Sequence, residues 1–157
     1  MIEVQNLRKS FDNTEVLKGI STTFETGKVN LVIGQSGSGK TVFLKSLLNV
    51  YEPSEGHILF DGRDIVGMGR KEKEQLRSEI GTVFQGSALF DSMTVQDNIM
   101  FPLDMFTNLT FTEKKKRVRE VMGRVHLENA EKKFTSEMSG GMQKSVAIAR
   151  AIVNNPK

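Results

Sequence analysis

The chain has 157 residues, of which 38% are hydrophobic and 26% are charged, with a formal net charge of +3. This composition is typical of one folded domain with its own core and excludes a disordered chain or a collagen-like repeat. The absence of cysteine excludes disulfides and thiol catalysis, and the two distant histidines, His57 and His126, argue against a histidine-built metal site.

The sequence contains no membrane span and no secretion signal. Its apolar runs are far shorter than a bilayer requires, and the first residues lack the basic-then-apolar layout of a signal peptide. We therefore expect a cytoplasmic protein. The small positive charge is too mild to predict nucleic-acid binding.

Strands are predicted at the start of the chain. Apolar and polar residues alternate over residues 2–7, and short apolar stretches follow at 16–20 and 22–25. We expect an antiparallel β subdomain over residues 1–28. The nearly continuous apolar run 29–33 is typical of a strand buried on both faces of a parallel sheet, and we expect it at the centre of the fold.

The next segment alternates helix and strand. Apolar spacing predicts a helix over 42–50, and a strand follows at 57–60, which gives a β-α-β pattern. A polar helix over 70–79 and a strand over 80–84 complete an α/β core that we place at residues 29–86.

Residues 87–139 are predicted to form a helical subdomain. Thr94 and Asp97 are spaced as a variant capping box that opens one helix. A second helix, capped near Thr112, carries a basic run at 114–117, which we interpret as solvated surface. A last helix is predicted over 143–153, within a final segment 140–157.

A phosphate-binding motif lies between the predicted strand 29–33 and the first helix. It matches G-x-x-x-x-G-K-[ST], and we call it the phosphate loop. Its glycines let backbone N–H groups turn toward phosphate oxygens, its lysine reaches the β and γ phosphates, and its threonine offers a hydroxyl to Mg²⁺. The loop consists of Gly34, Gln35, Ser36, Gly37, Ser38, Gly39, Lys40 and Thr41.

Two further features follow the phosphate loop. Gln85 ends the predicted strand 80–84, and Ser139, Gly140 and Gly141 precede the last helix. The serine and glycines predict either a second anion site at a helix N-terminus or an ordinary N-cap with a glycine turn.

The order of these motifs resembles the nucleotide-binding cassette of ATP-binding cassette (ABC) transporters over the entire chain. The resemblance implies an α/β fold with a P-loop NTPase core, an N-terminal antiparallel β subdomain and an inserted helical subdomain, incomplete at the C-terminus. Residues 1–157 would then form part of one ABC-type ATP-binding domain, with 140–157 as its signature helix.

The resemblance also implies roles for individual residues. Phe11 and Val16 match the adenine-contacting A-loop region, although a phenylalanine after a strand is commonly a core residue. Lys40 and Gln85 are the catalytic candidates, and Thr41 and Gln85 are the candidate Mg²⁺ ligands. In a head-to-tail homodimer, Ser139, Gly140 and Gly141 would close over the γ phosphate of ATP held by the other subunit.

The Walker B motif of the family, an apolar run followed by Asp-Glu, is missing. The segments that end at Asp61 and Asp91 are apolar-then-Asp, but neither continues with glutamate. We therefore expect a truncated cassette that binds ATP, hydrolyses it poorly, and exposes sheet edges where a strand is missing.

The segment 84–95, with Asn98 and 101–103, resembles Mla-type ATPases, which implies phospholipid transport with integral-membrane permease subunits at the inner face of the membrane. A group of large apolar side chains suits either docking of a partner helix or the subdomain's own core: Leu89, Phe90, Met93, Met100, Met105 and Phe106. The alternatives are a non-transport ABC ATPase acting on ribosomes or nucleic acid, and a small-molecule kinase, which leaves 139–141 unexplained.

Overall fold

The computed structural model describes the whole chain, Met1–Lys157. The chain forms two compact units, Met1–Lys73 and Glu74–Lys157, and each is described by itself. The finer division at residues 28, 86 and 139 stays a prediction. None of the helices is both long enough and apolar enough to cross a bilayer.

The first unit contains one antiparallel sheet and helix α1 (Lys40–Leu47). The strands occur in the spatial order β2-β1-β3-β4, and buried apolar side chains such as Leu7 and Ile58 line one face. The predicted antiparallel β structure at the N-terminus is thereby confirmed, and the sheet also includes two strands from outside residues 1–28. The strands are β1 (Ile2–Phe11), β2 (Thr14–Phe24), β3 (Glu55–Phe60) and β4 (Arg63–Asp64).

The two short strands predicted at 16–20 and 22–25 are one continuous strand, β2. The predicted break at Ser21 is wrong because its polar side chain has a partner within the sheet. The backbone N–H of Asn6 donates to Ser21 Oγ at 2.9 Å, in the stretch of β1 where the pairing with β2 shifts register. A small polar residue therefore accommodates an irregularity in the sheet rather than ending the strand.

Strand β3 lies beside β1 and runs antiparallel to it, with Val4 opposite Ile58. The strand predicted at 57–60 lies within β3, and its neighbour in the sheet is β1 rather than the segment 29–33. Gly56 permits the pairing, since its φ is +89° and a Cβ atom there would come within 2.4 Å of the carbonyl oxygen of Asn6. Only glycine allows the two backbones to approach so closely.

The strand predicted from the nearly continuous apolar run 29–33 and the strand predicted at 80–84 are not strands in either unit. Val29 is fully exposed, and Leu31 and Ile33 are 82% and 80% exposed. A strand needs a neighbouring backbone to pair with its N–H and C=O groups, and neither segment takes part in a ladder. Apolar composition indicates a preference for burial but does not supply the partner that burial requires.

The second unit is helical. Its core is formed mostly by apolar residues of three helices that pack on one another, including Ile99, Val121 and Val146. The last helix begins three residues earlier than predicted, whereas the polar helix at 70–79 has its predicted bounds. The helices are α2 (Arg70–Glu79), which spans the boundary between the units, α3 (Val95–Phe106), α4 (Phe111–Arg124) and α5 (Gly140–Ile152), with a single 3-10 turn at Thr135–Glu137.

Helix α3 begins after Thr94, as predicted, and the Thr94 side chain accepts a hydrogen bond from the backbone of Asp97. Helix α4 begins two residues before the predicted cap at Thr112. Thr110 and Glu113 form a reciprocal capping box, in which Thr110 N–H donates to the Glu113 carboxylate at 2.7 Å. Hydrogen bonds from the side chain and backbone of Thr110 lower the pKa of Glu113.

Replacing Thr110 with alanine should destabilise the second unit by about 1 kcal/mol, because the first turn of α4 loses its side-chain cap. The matched control is Thr112→Ala, which removes an exposed hydroxyl outside the capping box and should change stability by less than about 0.5 kcal/mol. Denaturant unfolding of the two variants measures the difference, and equal effects would contradict the assignment of the cap.

The same substitution should raise the pKa of Glu113 toward its ordinary value, as measured by NMR titration. A carboxylate whose pKa is lowered on folding stabilises the folded state above its unfolded pKa, and this contribution is lost as the pH falls through the folded pKa. The stability difference between the parent and Thr110→Ala should therefore narrow in acid.

Candidate functional site

The phosphate loop is an exposed turn that leads directly into α1. Residues 34–38 are exposed, and Gly37 and Gly39 adopt φ angles of +79° and +91°. Gly39 is the N-cap of α1, and no side chain caps the helix. The free N–H groups of the first turn are therefore available to an anion, in a helix whose N-terminus carries partial positive charge.

The Lys40 side chain folds back over this loop. Its ammonium donates to the carbonyl oxygens of Gly34 at 2.8 Å and Gln35 at 2.7 Å. No carboxylate pairs with it, so the lysine charge lies at the loop without a counter-charge. Thr41, the next residue, is exposed. A polyanion at the loop would meet both the lysine and the helix N-terminus.

Strand β2 packs against the phosphate loop at Gly39. A Cβ atom at Gly39 would lie 3.2 Å from side-chain atoms of both Val16 and Leu17, so the loop passes directly over this strand. At the opposite end of the loop, a Cβ at Gly34 would lie 2.7 Å from Ser38 Oγ. The structure thus brings Val16, a predicted adenine contact, against the phosphate loop.

Phe11, the other predicted adenine contact, ends β1 at the tip of the first hairpin. It is 38% exposed, and its ring packs edge-to-face on Tyr51 with 5.3 Å between ring centroids. The ring is therefore neither a buried core residue nor a free surface side chain. An exposed aromatic ring held at one edge is suited to stacking on a planar base.

Gln85 lies in the second unit, in an exposed turn. The two residues after Gly86, Ser87 and Ala88, have positive φ angles of 60° and 48°. The guanidinium of Arg150, on α5, donates to the carbonyl oxygens of Ser87 at 2.9 Å and Ala88 at 2.8 Å. Partial burial lowers the pKa of Arg150. These hydrogen bonds hold a strained backbone segment directly after the glutamine.

Arg150 has no sequence signal that would have identified it, since it is one basic residue within an otherwise apolar helix face. Asn98 is a second residue whose structural role the sequence does not reveal. It is fully buried, accepts from the N–H of Phe90 at 2.8 Å, and donates to three backbone carbonyls of the turn before α3. The two side chains together fix the chain that follows Gln85.

The predicted second anion site forms the N-terminus of α5. Ser139 is its N-cap and accepts from the backbone N–H of Met142 at 3.3 Å. Gly140 and Gly141 have ordinary helical backbone, and a Cβ atom at either would meet nothing within 4 Å. The fold therefore requires glycine at neither position, and the surface above them is open to an approaching group.

The group of large apolar residues after Gln85 divides between core and surface. Met100 is buried in the helical core, and Leu89 packs against that core. Phe90 and Met105 are exposed, and with Phe101 they line a groove of about 300 Å³. One part of this group therefore belongs to the core of the unit, and the other part forms an exposed groove.

The two apolar-then-Asp segments do not form the missing motif. Asp61 lies in the turn between β3 and β4, where its carboxylate pairs with the N-terminal ammonium of Met1 at 2.6 Å. Asp91 lies in an exposed turn before α3. The interpretation of the first as a strand and turn, and of the second as the segment after Gln85, agrees with these positions.

Comparison with known proteins decides the family. The sequence model of the family described as ABC transporter matches residues 17–157. The chain belongs to the ABC transporter family. This ABC chain is 42% identical, over 99% of its length and 44% of the relative's, to the probable ribonucleotide transport ATP-binding protein mkl of Mycobacterium tuberculosis (strain ATCC 25618 / H37Rv). It thus spans less than half of the length of that relative.

Two further relatives agree. The cell division ATP-binding protein FtsE of Bacillus subtilis (strain 168) is 38% identical over 99% of this chain and 68% of FtsE. The ATP-binding cassette MJ0796, solved as a dimer in a post-hydrolysis state bound to ADP and Pi, superposes with a TM-score of 0.89 at 29% identity, over 99% of this chain and 71% of that one. The predicted α/β fold of an ABC cassette is confirmed.

Gly39→Ala should disrupt the phosphate loop more than Gly37→Ala. Both substitutions place alanine at positive φ, at a cost of about 1 to 2 kcal/mol, but only the Cβ at position 39 also presses on Val16 and Leu17. Denaturant unfolding should show the larger destabilisation for Gly39→Ala. Equal destabilisation would mean that β2 does not support the loop as the contacts indicate.

Proposed function

We propose that this chain is the ATP-binding part of an ABC transporter subunit that couples ATP binding and hydrolysis to transport through a membrane partner. The observation that carries the proposal is the phosphate loop, where the unpaired Lys40 ammonium and the uncapped N-terminus of α1 converge. Gly34, Gln35, Ser36, Gly37, Ser38 and Gly39 would wrap the phosphates with backbone N–H groups.

Magnesium would be held next to the phosphates. The exposed hydroxyl of Thr41 is the candidate ligand from the phosphate loop, and the side-chain carbonyl of Gln85 is the second. A bound ion would neutralise phosphate charge and orient the γ phosphate. Arg150 supports the second ligand indirectly, because it fixes the backbone two and three residues after Gln85.

A head-to-tail homodimer would complete the site. Ser139, Gly140 and Gly141 offer an open helix N-terminus, with no side chain above the glycines to obstruct a phosphate. In this arrangement each chain supplies the phosphate loop for one ATP and the serine and glycines for the other. The dimeric structure of MJ0796 bound to ADP and Pi supports this assembly.

The membrane partner would be an integral-membrane permease that contacts the second unit. The groove lined by Phe90, Phe101 and Met105 offers apolar surface next to the segment that follows Gln85. We place the protein in the cytoplasm, peripheral on the inner face of the membrane. Phospholipid is the proposed cargo. The proposal rests on the resemblance of residues 84–103 to Mla-type ATPases alone, because the relatives named above differ in their roles and do not indicate one cargo.

A role on nucleic acid is less well supported. In the basic run of α4, Lys114 pairs with Asp104 at 2.8 Å and Arg117 pairs with Glu120 at 3.2 Å. These partners neutralise half of the run, and no continuous basic face remains for a phosphate backbone.

We further propose that the 157 residues release phosphate slowly from bound ATP. The two carboxylates that follow the apolar run of β3 have other partners, Asp61 with the Met1 ammonium and Asp64 with His57 Nδ1 at 2.6 Å. Neither is available to orient an attacking water at the phosphate loop.

Lys40→Ala should weaken binding of Mg-ATP roughly 10- to 100-fold, because a hydrogen-bonded charge contributes about 1.5 to 3 kcal/mol. The matched control is Lys18→Ala, which removes the same charge from an exposed position on β2 and should bind ATP like the parent chain. Isothermal titration gives the affinities, and released phosphate is measured in the same samples. Unchanged affinity in Lys40→Ala would contradict the proposal, and rapid phosphate release by the parent would contradict slow hydrolysis.

A further inference from the structure

Tyr51 is the single tyrosine of the chain, and the nucleotide site described above gives it no role. It follows α1 in sequence and packs against the ring of Phe11. The two rings are edge-to-face, with centroids 5.3 Å apart and planes at 80°. This is the preferred geometry for a pair of aromatic side chains, and it orients each ring relative to the other.

Both α1 and β1 hold Tyr51 in place. Its backbone N–H donates to the carbonyl of Lys45 in α1 at 3.3 Å, and the Lys45 ammonium lies 3.5 Å from the tyrosine hydroxyl and 5.2 Å from the ring centroid. Three residues later, Ser54 N–H donates to the Arg8 carbonyl at 2.9 Å, and Ser54 Oγ accepts from Ser10 N–H at 3.1 Å. The tyrosine is therefore fixed to the phosphate-loop helix and to the strand that carries Phe11.

Phe11 lies at the end of the β1–β2 ladder, where its backbone is opposite Thr14. It is the last residue of β1, and the next residue, Asp12, already has a φ of +49° in the hairpin turn. The Phe11 ring also contacts Lys9, whose ammonium lies over the ring at 5.0 Å from its centroid. A lysine side chain has many rotamers and can leave the ring when a base arrives, whereas Tyr51 is held from two sides.

We propose that Tyr51 is a positioning residue for adenine recognition, which holds the Phe11 ring ready for stacking and ties it to α1. Because α1 begins at Lys40, the base-stacking ring and the phosphate-binding lysine are connected through one short helix and the Lys45–Tyr51 contact. This inference rests on the proposed nucleotide site, since a positioning role presupposes that a base stacks on Phe11.

The test compares two ligands that share phosphates and differ in the base: Mg-ATP and Mg-tripolyphosphate. Tyr51→Leu removes the ring but keeps apolar volume, and Tyr51→Phe, the conservative control, keeps the ring and loses the hydroxyl. Phe11→Leu and the double variant Phe11→Leu/Tyr51→Leu complete a mutant cycle. Circular dichroism establishes that each variant is folded, and Lys40→Ala serves as the control for phosphate binding.

Tyr51→Leu should weaken ATP binding about two- to tenfold, the range for loss of one aromatic pair, and leave tripolyphosphate affinity unchanged. Tyr51→Phe should restore most of the ATP affinity, and Tyr51→Leu should have no further effect once Phe11 is leucine. If Tyr51→Leu weakened the binding of both ligands equally, or left ATP binding unchanged, the positioning role would be overturned. If Lys40→Ala changed neither affinity, the proposed nucleotide site itself would fail.

Discussion

An uncapped helix N-terminus is the constraint on which the first unit depends. Helix α1 begins immediately after Gly39. The left-handed backbone of this glycine turns the chain, and glycine has no side chain to cap the first turn. The helix is instead secured by its buried face, where Phe43 packs near Phe24 of β2 at 6.1 Å between ring centroids. The sheet can therefore hold α1 rigidly while the N–H groups of its first turn remain free for an anion.

Local signals in the sequence predicted the elements that depend on local interactions. The polar helix α2, the Thr94 cap of α3 and the phosphate loop could all be predicted, because a cap or a glycine turn is determined by residues within one helical turn. The predicted cap of α4 was two residues too late for a related reason. Two threonines lie at the start of this helix, and only Thr110 has a glutamate three residues later.

Elements that depend on distant partners could not be predicted in the same way. The runs 29–33 and 80–84 have strand composition, yet a strand exists only where another backbone completes the ladder. Strand β3 shows the converse, since it pairs with β1 some fifty residues earlier. The close approach that Gly56 permits to Asn6 is part of this pairing, and neither periodicity nor composition reveals it.

The residues of the candidate site also differ in whether local sequence or a distant contact determines them. The phosphate loop is contiguous and has a fixed spacing, so every one of its residues could be named from the sequence. The guanidinium of Arg150 contacts two carbonyls that lie 62 and 63 residues earlier in the chain. The ring of Tyr51 contacts that of Phe11, forty residues earlier. Residues that position other residues leave no motif, because their requirement is a contact rather than a spacing.

The position of Lys40 suits the loop to the phosphates proposed for it. Its ammonium is satisfied by the neutral carbonyls of Gly34 and Gln35, which keeps a half-buried charge hydrogen-bonded without a carboxylate that would compete with phosphate. Exchange of a neutral carbonyl for a phosphate oxygen would add the attraction of opposite charges to a hydrogen bond whose donor is already charged. Because the lysine side chain already lies at the loop, little side-chain ordering would oppose such binding.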